Sequence, residues 1–222
     1  MIEAQTWVSE ILSKLREAFG TRLRYLGLQG SYRREEASES SDIDLVVLLD
    51  TVELDDLDAY RAVVHTMPEG HKACGFLCGV REFAAWPPHE LFAFAKDTAD
   101  HFGRLDDYLP PITHDDVRHG AKINASALLH MLTHSYLYAD KESTRALLKE
   151  AFKAAFFLMQ VVHYLDSGQY RASKRELLAD LDGAQREIIE AGMDFPGWLE
   201  ARSERQAFEM LLGWCRDVMC EA

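Results

Sequence analysis

An α+β protein, with a small mixed sheet flanked by helices and then a bundle of helices, is what three features of the sequence predict. Two apolar runs, "RLRYLGLQG" and "DIDLVVLLD", lie close together near the start of the chain, as neighbouring strands would. Helical periodicity then alternates with a third apolar run, "HKACGFLCG". From about Thr113 onward every apolar pattern is helical. Pro110 and Pro111 mark the break, so residues 1–109 are expected to form one domain and residues 110–222 a helical bundle that supplies the other wall of a cleft.

Each element has its own signal. Trp7, Ile11, Leu12, Leu15, Ala18 and Phe19 recur at helical spacing, and Gly20 can close that helix. In the first strand Leu23, Tyr25 and Gly27 should share one side and Arg24, Leu26 and Leu28 the other. The run after Asp42 is almost continuously apolar, as in a strand covered on both faces. "DDLDAYRAVVHTM" reads as a helix, and "PPHELFAFAKDTA" as another that opens just after prolines. In the second half, "STRALLKEAFKAAFFLMQVVHYLDSG" is apolar nearly all round and should run through the middle of the bundle. Ser173 and Glu176 are spaced as a capping box, and "RQAFEMLLGWCRDVM" closes the chain as a helix.

Composition narrows the function. Among 222 residues, 24 basic against 37 acidic side chains give a net charge of −13, which disfavours nucleic acid as a partner and suits a cationic small molecule. The N-terminus has no basic start followed by an apolar core, and the longest apolar stretches fall short of the roughly 20 residues that cross a bilayer. A cytoplasmic protein with no membrane partner is expected. Cys74, Cys78, Cys215 and Cys220 lack the CxxC spacing of zinc ribbons and redox motifs, so they read as reduced, mostly packed thiols. No Walker phosphate loop, GxSxG elbow or nucleophilic Cys-His signature is present.

The chemistry concentrates in "GLQGSYRREEASESSDIDLVVLL". Residues two apart in a strand share a face, so Asp42 and Asp44 lie with Cα atoms about 6.6 Å apart on one side. Two unit charges 4 Å apart repel by about 4 kcal/mol at an effective dielectric near 20, so something positive should sit between them. No base lies in the strand, and Mg²⁺, a hard cation that keeps positions open for water and phosphate, matches such a pair. Gly30 allows close backbone approach, while the Ser31 hydroxyl and any following helical N–H groups suit an anion. Metal on one strand beside phosphate donors on the next describes the chemistry of nucleoside triphosphates.

This stretch resembles the signature of the polymerase-β-like nucleotidyltransferase superfamily, in which Gly-Ser is followed after ten residues by Asp-x-Asp. The match is close over residues 23–50, and the helical C-terminal half is similar in arrangement to the small bacterial members that modify antibiotics or protein partners. The resemblance implies a nucleotidyltransferase domain in residues 1–109. It also implies two Mg²⁺ ions and transfer of a nucleoside monophosphate, AMP from ATP, to a hydroxyl of an aminoglycoside-like molecule or a protein, with pyrophosphate released. Asp42 and Asp44 would hold metal, and Gly30 and Ser31 the β- and γ-phosphates. The family's third carboxylate falls on Glu82, with Asp97 as second choice; the plain alternatives are an exposed Glu82 paired with Arg81 and an Asp97 that caps a helix. Arg33 and Arg34 would meet phosphates or pair with Glu35, Glu36 or Glu39. Lys153, on a polar stripe with Lys149, Gln160 and His163, and Lys174, near a helix start, would reach the nucleotide or stay solvated.

Two features pull the other way. Glu35 stands where the family loop often has a second glycine, which predicts a stiffer or differently turned loop. With the third acid also open, a catalytically silent nucleotide-binding or partner-binding module with the same fold is the alternative. His130 and His134 have metal-ligand spacing but lack the Glu of HExxH, so a packing role is expected. Trp86, Trp198 and Trp214 read as core or rim aromatics, with Trp86 near enough to the site for an adenine to stack on it.

Overall fold

The apolar run after Asp42 becomes β2 (Ile43–Leu49), the central strand in the computed structural model, which describes residues 2–221. Two compact units divide the chain, Met1–Ile112 and Thr113–Ala222. The break falls after Ile112 rather than after residue 109, because Leu109 and Ile112 pack onto the first unit's core. Among the described residues no helix is long and apolar enough to cross a membrane.

In the first unit, α1 (Ala4–Phe19) is closed at Gly20, whose φ of 55° favours a residue without Cβ. β1 (Leu23–Gln29) follows, then a single turn, α2 (Gly30–Arg33), then β2, α3 (Leu54–His65) and β3 (Ala73–Gly79). α4 (Val80–Ala84), α5 (Pro88–Lys96), which has proline in its first turn, and β4 (Ala99–Phe102) complete the unit. The sheet order is β3-β2-β1-β4. β1 runs antiparallel to both β2 and β4, whereas β2 and β3 are parallel, so the sheet is mixed as expected.

Alternation along β2 explains its apolar sequence. Ile43, Leu45, Val47 and Leu49 enter one core with Trp7, Ile11 and Leu15 of α1, while Val46 and Leu48 enter a second with Phe83 of α4 and Leu91 of α5. Each such side chain removed from water contributes about 1.5–3 kcal/mol. β1 departs from the expected alternation. Leu23 joins Leu26 and Leu28 in the α1 core, opposite Tyr25, because the register with β2 shifts between Leu23 and Tyr25.

At the C-terminal end of β2, Arg22 ties the sheet to α3. Its guanidinium donates to Asp56 at 2.7 and 2.8 Å, to Asp50 at 3.1 Å and to the Thr51 carbonyl at 3.0 Å. The Arg22 bond holds the Asp56 carboxyl down at about 2. Asp56 also accepts the Glu53 N–H at 2.9 Å, closing the first turn of α3.

The second unit is helical throughout: α6 (His114–Tyr138), α7 (Lys141–Ser167), α8 (Lys174–Asp180), α9 (Gly183–Met193), α10 (Phe195–Ala201) and α11 (Glu204–Glu221). α7 is its centre, packing against α6, α9 and α11 through Leu148, Phe152, Ala155, Phe156 and Met159. Ser173 and Glu176 do form the capping box of α8. Gln160, read as part of a polar stripe, is instead buried, and its amide donates to the Arg171 and Ala172 carbonyls at 2.8 and 2.7 Å, fixing the approach to α8. All four cysteines are free; Cys215 is buried, but Cys74 and Cys220 are exposed rather than packed.

Candidate active site

The two aspartates occupy the N-terminal end of β2. Asp44 is the second residue of the strand and half-buried, and Asp42 stands exposed just before it. Alternation puts Asp44 on the same face as Val46 and Leu48, the face covered by α4 and α5. Asp44 is flanked by Gln29 of β1 on one side and Cys74 of β3 on the other.

Gly30 is where β1 must turn, and its φ of 69° favours glycine. Space makes the same demand. A Cβ at Gly30 would lie 1.9 Å from Asp44 Oδ2 and 2.8 Å from its Cγ, so the carboxylate packs directly on the backbone that begins α2. Ser31 follows in that turn, half-buried, and its hydroxyl makes no side-chain hydrogen bond among the described residues. Glu35 adopts a φ of 58°, a left-handed conformation that glycine takes at less cost than a residue with Cβ.

The loop is held from the α5 side. Arg34, whose side chain is only 10% exposed, donates to Asp97 Oδ2 at 2.5 Å and to Glu36 Oε2 at 3.3 Å, so it is a buried clamp rather than a surface pair. Arg33 donates to the Lys96 carbonyl at 3.3 Å. Gln29 reaches the same segment, its amide donating to Thr98 Oγ1 at 2.6 Å and to the Phe94 carbonyl at 3.0 Å. Burial pushes the Asp97 carboxyl up while Arg34 opposes the rise, and the Gly30 N–H also favours its charged form.

Glu82 does not join this site. β3 is parallel to β2 and in register from Ile43–Ala73 to Leu49–Gly79, so Gly79 stands five residues beyond Asp44, about 16 Å along the sheet. Glu82 lies on α4 with Oε2 only 2.2 Å from where a Gly79 Cβ would be, at the opposite end of the strands. Parallel pairing carries anything after β3 away from Asp44, whereas β4 starts at the site end because Ala99 pairs with Leu28. That start brings Asp97 to Gly30, a placement hidden in the sequence because the four residues of β4 show no clear period. Among the described residues no three His, Cys, Asp or Glu side chains cluster to hold a metal, so the expected trio of Asp42, Asp44 and Glu82 is not assembled. The pair that remains, Asp44 at the strand end and Asp42 two residues before it, supplies hard carboxylate oxygens of the kind that fits Mg²⁺.

The remaining expectations sort by unit. Lys153 is an exposed residue of α7, and Lys174 opens α8 with Nζ 5.5 Å from the Phe156 ring centroid. His130 and His134 are exposed on α6 with rings 6.3 Å apart, so they do not pack into the bundle. Trp86 packs at a tilt against Phe76, 4.9 Å between centroids, and donates its indole N–H to Glu90.

Comparison with known proteins bears on this geometry. Residues 8–82, which contain Gly30, Ser31, Asp42 and Asp44, match the family model of the nucleotidyltransferase domain. Among solved structures, a spectinomycin adenyltransferase from Enterococcus faecalis, determined with ATP and spectinomycin, superposes with a TM-score of 0.58 at 14% identity, covering 98% of this chain and 99% of that one. No curated protein sequence matches the chain. At that identity the likeness is one of fold, and it extends over both units. Residues 8–82 thus form a domain that matches the nucleotidyltransferase model, running from α1 into α4 with the Gly-Ser turn seated against Asp44 of β2.

Proposed function

We propose that this chain transfers a nucleoside monophosphate, AMP from ATP, to a hydroxyl of a cationic small molecule and releases pyrophosphate. The observation that carries the reading is the close approach of Asp44 to Gly30, which leaves no room for a side chain and so seats a carboxylate directly against the Gly-Ser turn. Asp42 and Asp44 would hold Mg²⁺, which when bound neutralises phosphate charge and polarises the reacting oxygens. The Gly30–Ser31 backbone and the Ser31 hydroxyl would grip the β- and γ-phosphates, fixing the triphosphate for in-line attack. Arg33, Lys153 and Lys174 are proposed nucleotide contacts. The net charge of −13 would draw a polycationic acceptor, and the structural relative solved with spectinomycin supports a small-molecule acceptor of that kind.

The test is pyrophosphate release from ATP and Mg²⁺ across a panel of aminoglycosides and aminocyclitols, with Asp42→Asn alongside. Acceptor-dependent release that falls at least about a hundredfold in Asp42→Asn is expected. Release that survives the substitution contradicts the metal role. One observation favours a second reading, a nucleotide-binding module without transfer: Arg34 already neutralises Asp97, the acid that reaches the turn from the end of α5. ATP binding without release for any acceptor would select it.

A further inference from the structure

The structure assigns Asp97 a positioning role: the C-terminal end of α5 clasps the Gly30–Arg34 turn and sets its place against Asp44, and thereby the grip on the triphosphate. This deepens the transfer reading and rests on it. The clasp has several points. Asp97 Oδ2 takes the Arg34 guanidinium at 2.5 Å, and the Lys96 carbonyl takes Arg33 at 3.3 Å, so both arginines at the end of α2 are bound by consecutive residues. The C-terminus of a helix carries partial negative charge, which favours guanidinium groups there. Gln29, just before the turn, is tied to Phe94 and Thr98 on either side of that pair. The turn is therefore gripped before Gly30 and after Tyr32, leaving Ser31 at its free middle.

The geometry also separates Asp97 from the metal-holding pair. One of its oxygens is committed to Arg34, while the other, Oδ1, is buried and makes no hydrogen bond among the described residues. A carboxylate bonded from the end of α5 to the far end of the turn suits a brace. An ion pair buried in this way costs most when one partner alone is removed, because the other is left charged and desolvated.

The experiment is equilibrium binding of a non-hydrolysable ATP analogue and of AMP, each with Mg²⁺, to the full chain and to Asp97→Asn, Arg34→Met and the double variant. The turn meets the β- and γ-phosphates, so each single variant should bind the ATP analogue about tenfold more weakly and AMP unchanged, and the double variant should be no worse than either single one. For transfer, KM for ATP should rise while kcat stays within about threefold. Equal weakening toward both nucleotides would reduce Asp97 to a general structural role, and a hundredfold loss of kcat with analogue binding intact would make it a catalytic residue; either result overturns the proposal. Failure of the unsubstituted chain to bind the analogue would sink the transfer reading itself, whereas binding that is untouched in every variant sinks the clasp alone. Should Asp97→Asn not fold, Arg34→Lys keeps the charge but loses the fork, and it should show the same selective loss for the ATP analogue.

Discussion

Substituting Gly30 by alanine should disable the site through a single methyl group. The new Cβ would fall 1.9 Å from Asp44 Oδ2, where an ordinary contact needs about 3.4 Å, so the carboxylate or the turn must give way by about 1.5 Å. The backbone adds its own cost, since a residue with Cβ at a φ of 69° loses about 1–2 kcal/mol. Displacing a reacting group by about 1 Å costs on the order of a hundredfold in rate, equivalent to about 2.7 kcal/mol of barrier. Gly30→Ala should therefore lower kcat/KM at least about a hundredfold. Its melting temperature should drop by roughly 4–8 °C for each kcal/mol of strain, as for a unit of about 100 residues. Pyrophosphate release and a calorimetric melt measure the two effects. A variant that keeps kcat/KM within about threefold would show that Asp44 and the turn do not need their contact, and the placement argued above would fail.

Three further substitutions test other parts of the structure. Glu82→Gln should leave transfer within about twofold of the unsubstituted chain, because Glu82 stands at the opposite end of the parallel strands from Asp44, and a large loss would contradict the register. Asp56, held at about 2 by Arg22 against an ordinary 3.8, contributes stability that is complete above the ordinary value and is lost as pH falls toward 2. Urea midpoints should therefore fall between about pH 4 and pH 2 more steeply in the unsubstituted chain than in Asp56→Asn. Glu35→Gly removes the cost of a side chain at a φ of 58° and should melt a few degrees above Glu35→Ala, which keeps that cost.

Reading this chain from its residues succeeds where one physical demand dominates. Ile43 to Leu49 must be a covered strand because burying five consecutive apolar side chains, Leu45 to Leu49, on alternate sides asks for a strand covered on both faces. The meeting of Gly30 with Asp44 follows from the antiparallel pairing that sets Gln29 opposite Asp44, a juxtaposition to which the Gly-Ser and Asp-x-Asp spacing already pointed. Pairing between strands, by contrast, leaves little trace in single residues. Glu82 and Asp97 both follow strands or helices at plausible distances, and only the parallel partner of β2 and the antiparallel partner of β1 decide which one reaches the turn. Leu23 changes sides for a similar reason, since a bulge is a property of two strands together. Gln160 looked solvated because a lone polar residue in a helix says nothing about carbonyls that arrive from a later segment.

The left-handed backbone at Glu35 has a consequence for how relatives are recognised. A search pattern that insists on glycine at that place discards this chain, although Glu35 holds the left-handed conformation that glycine takes most easily. Written in dihedral angles instead of letters, such a pattern keeps it.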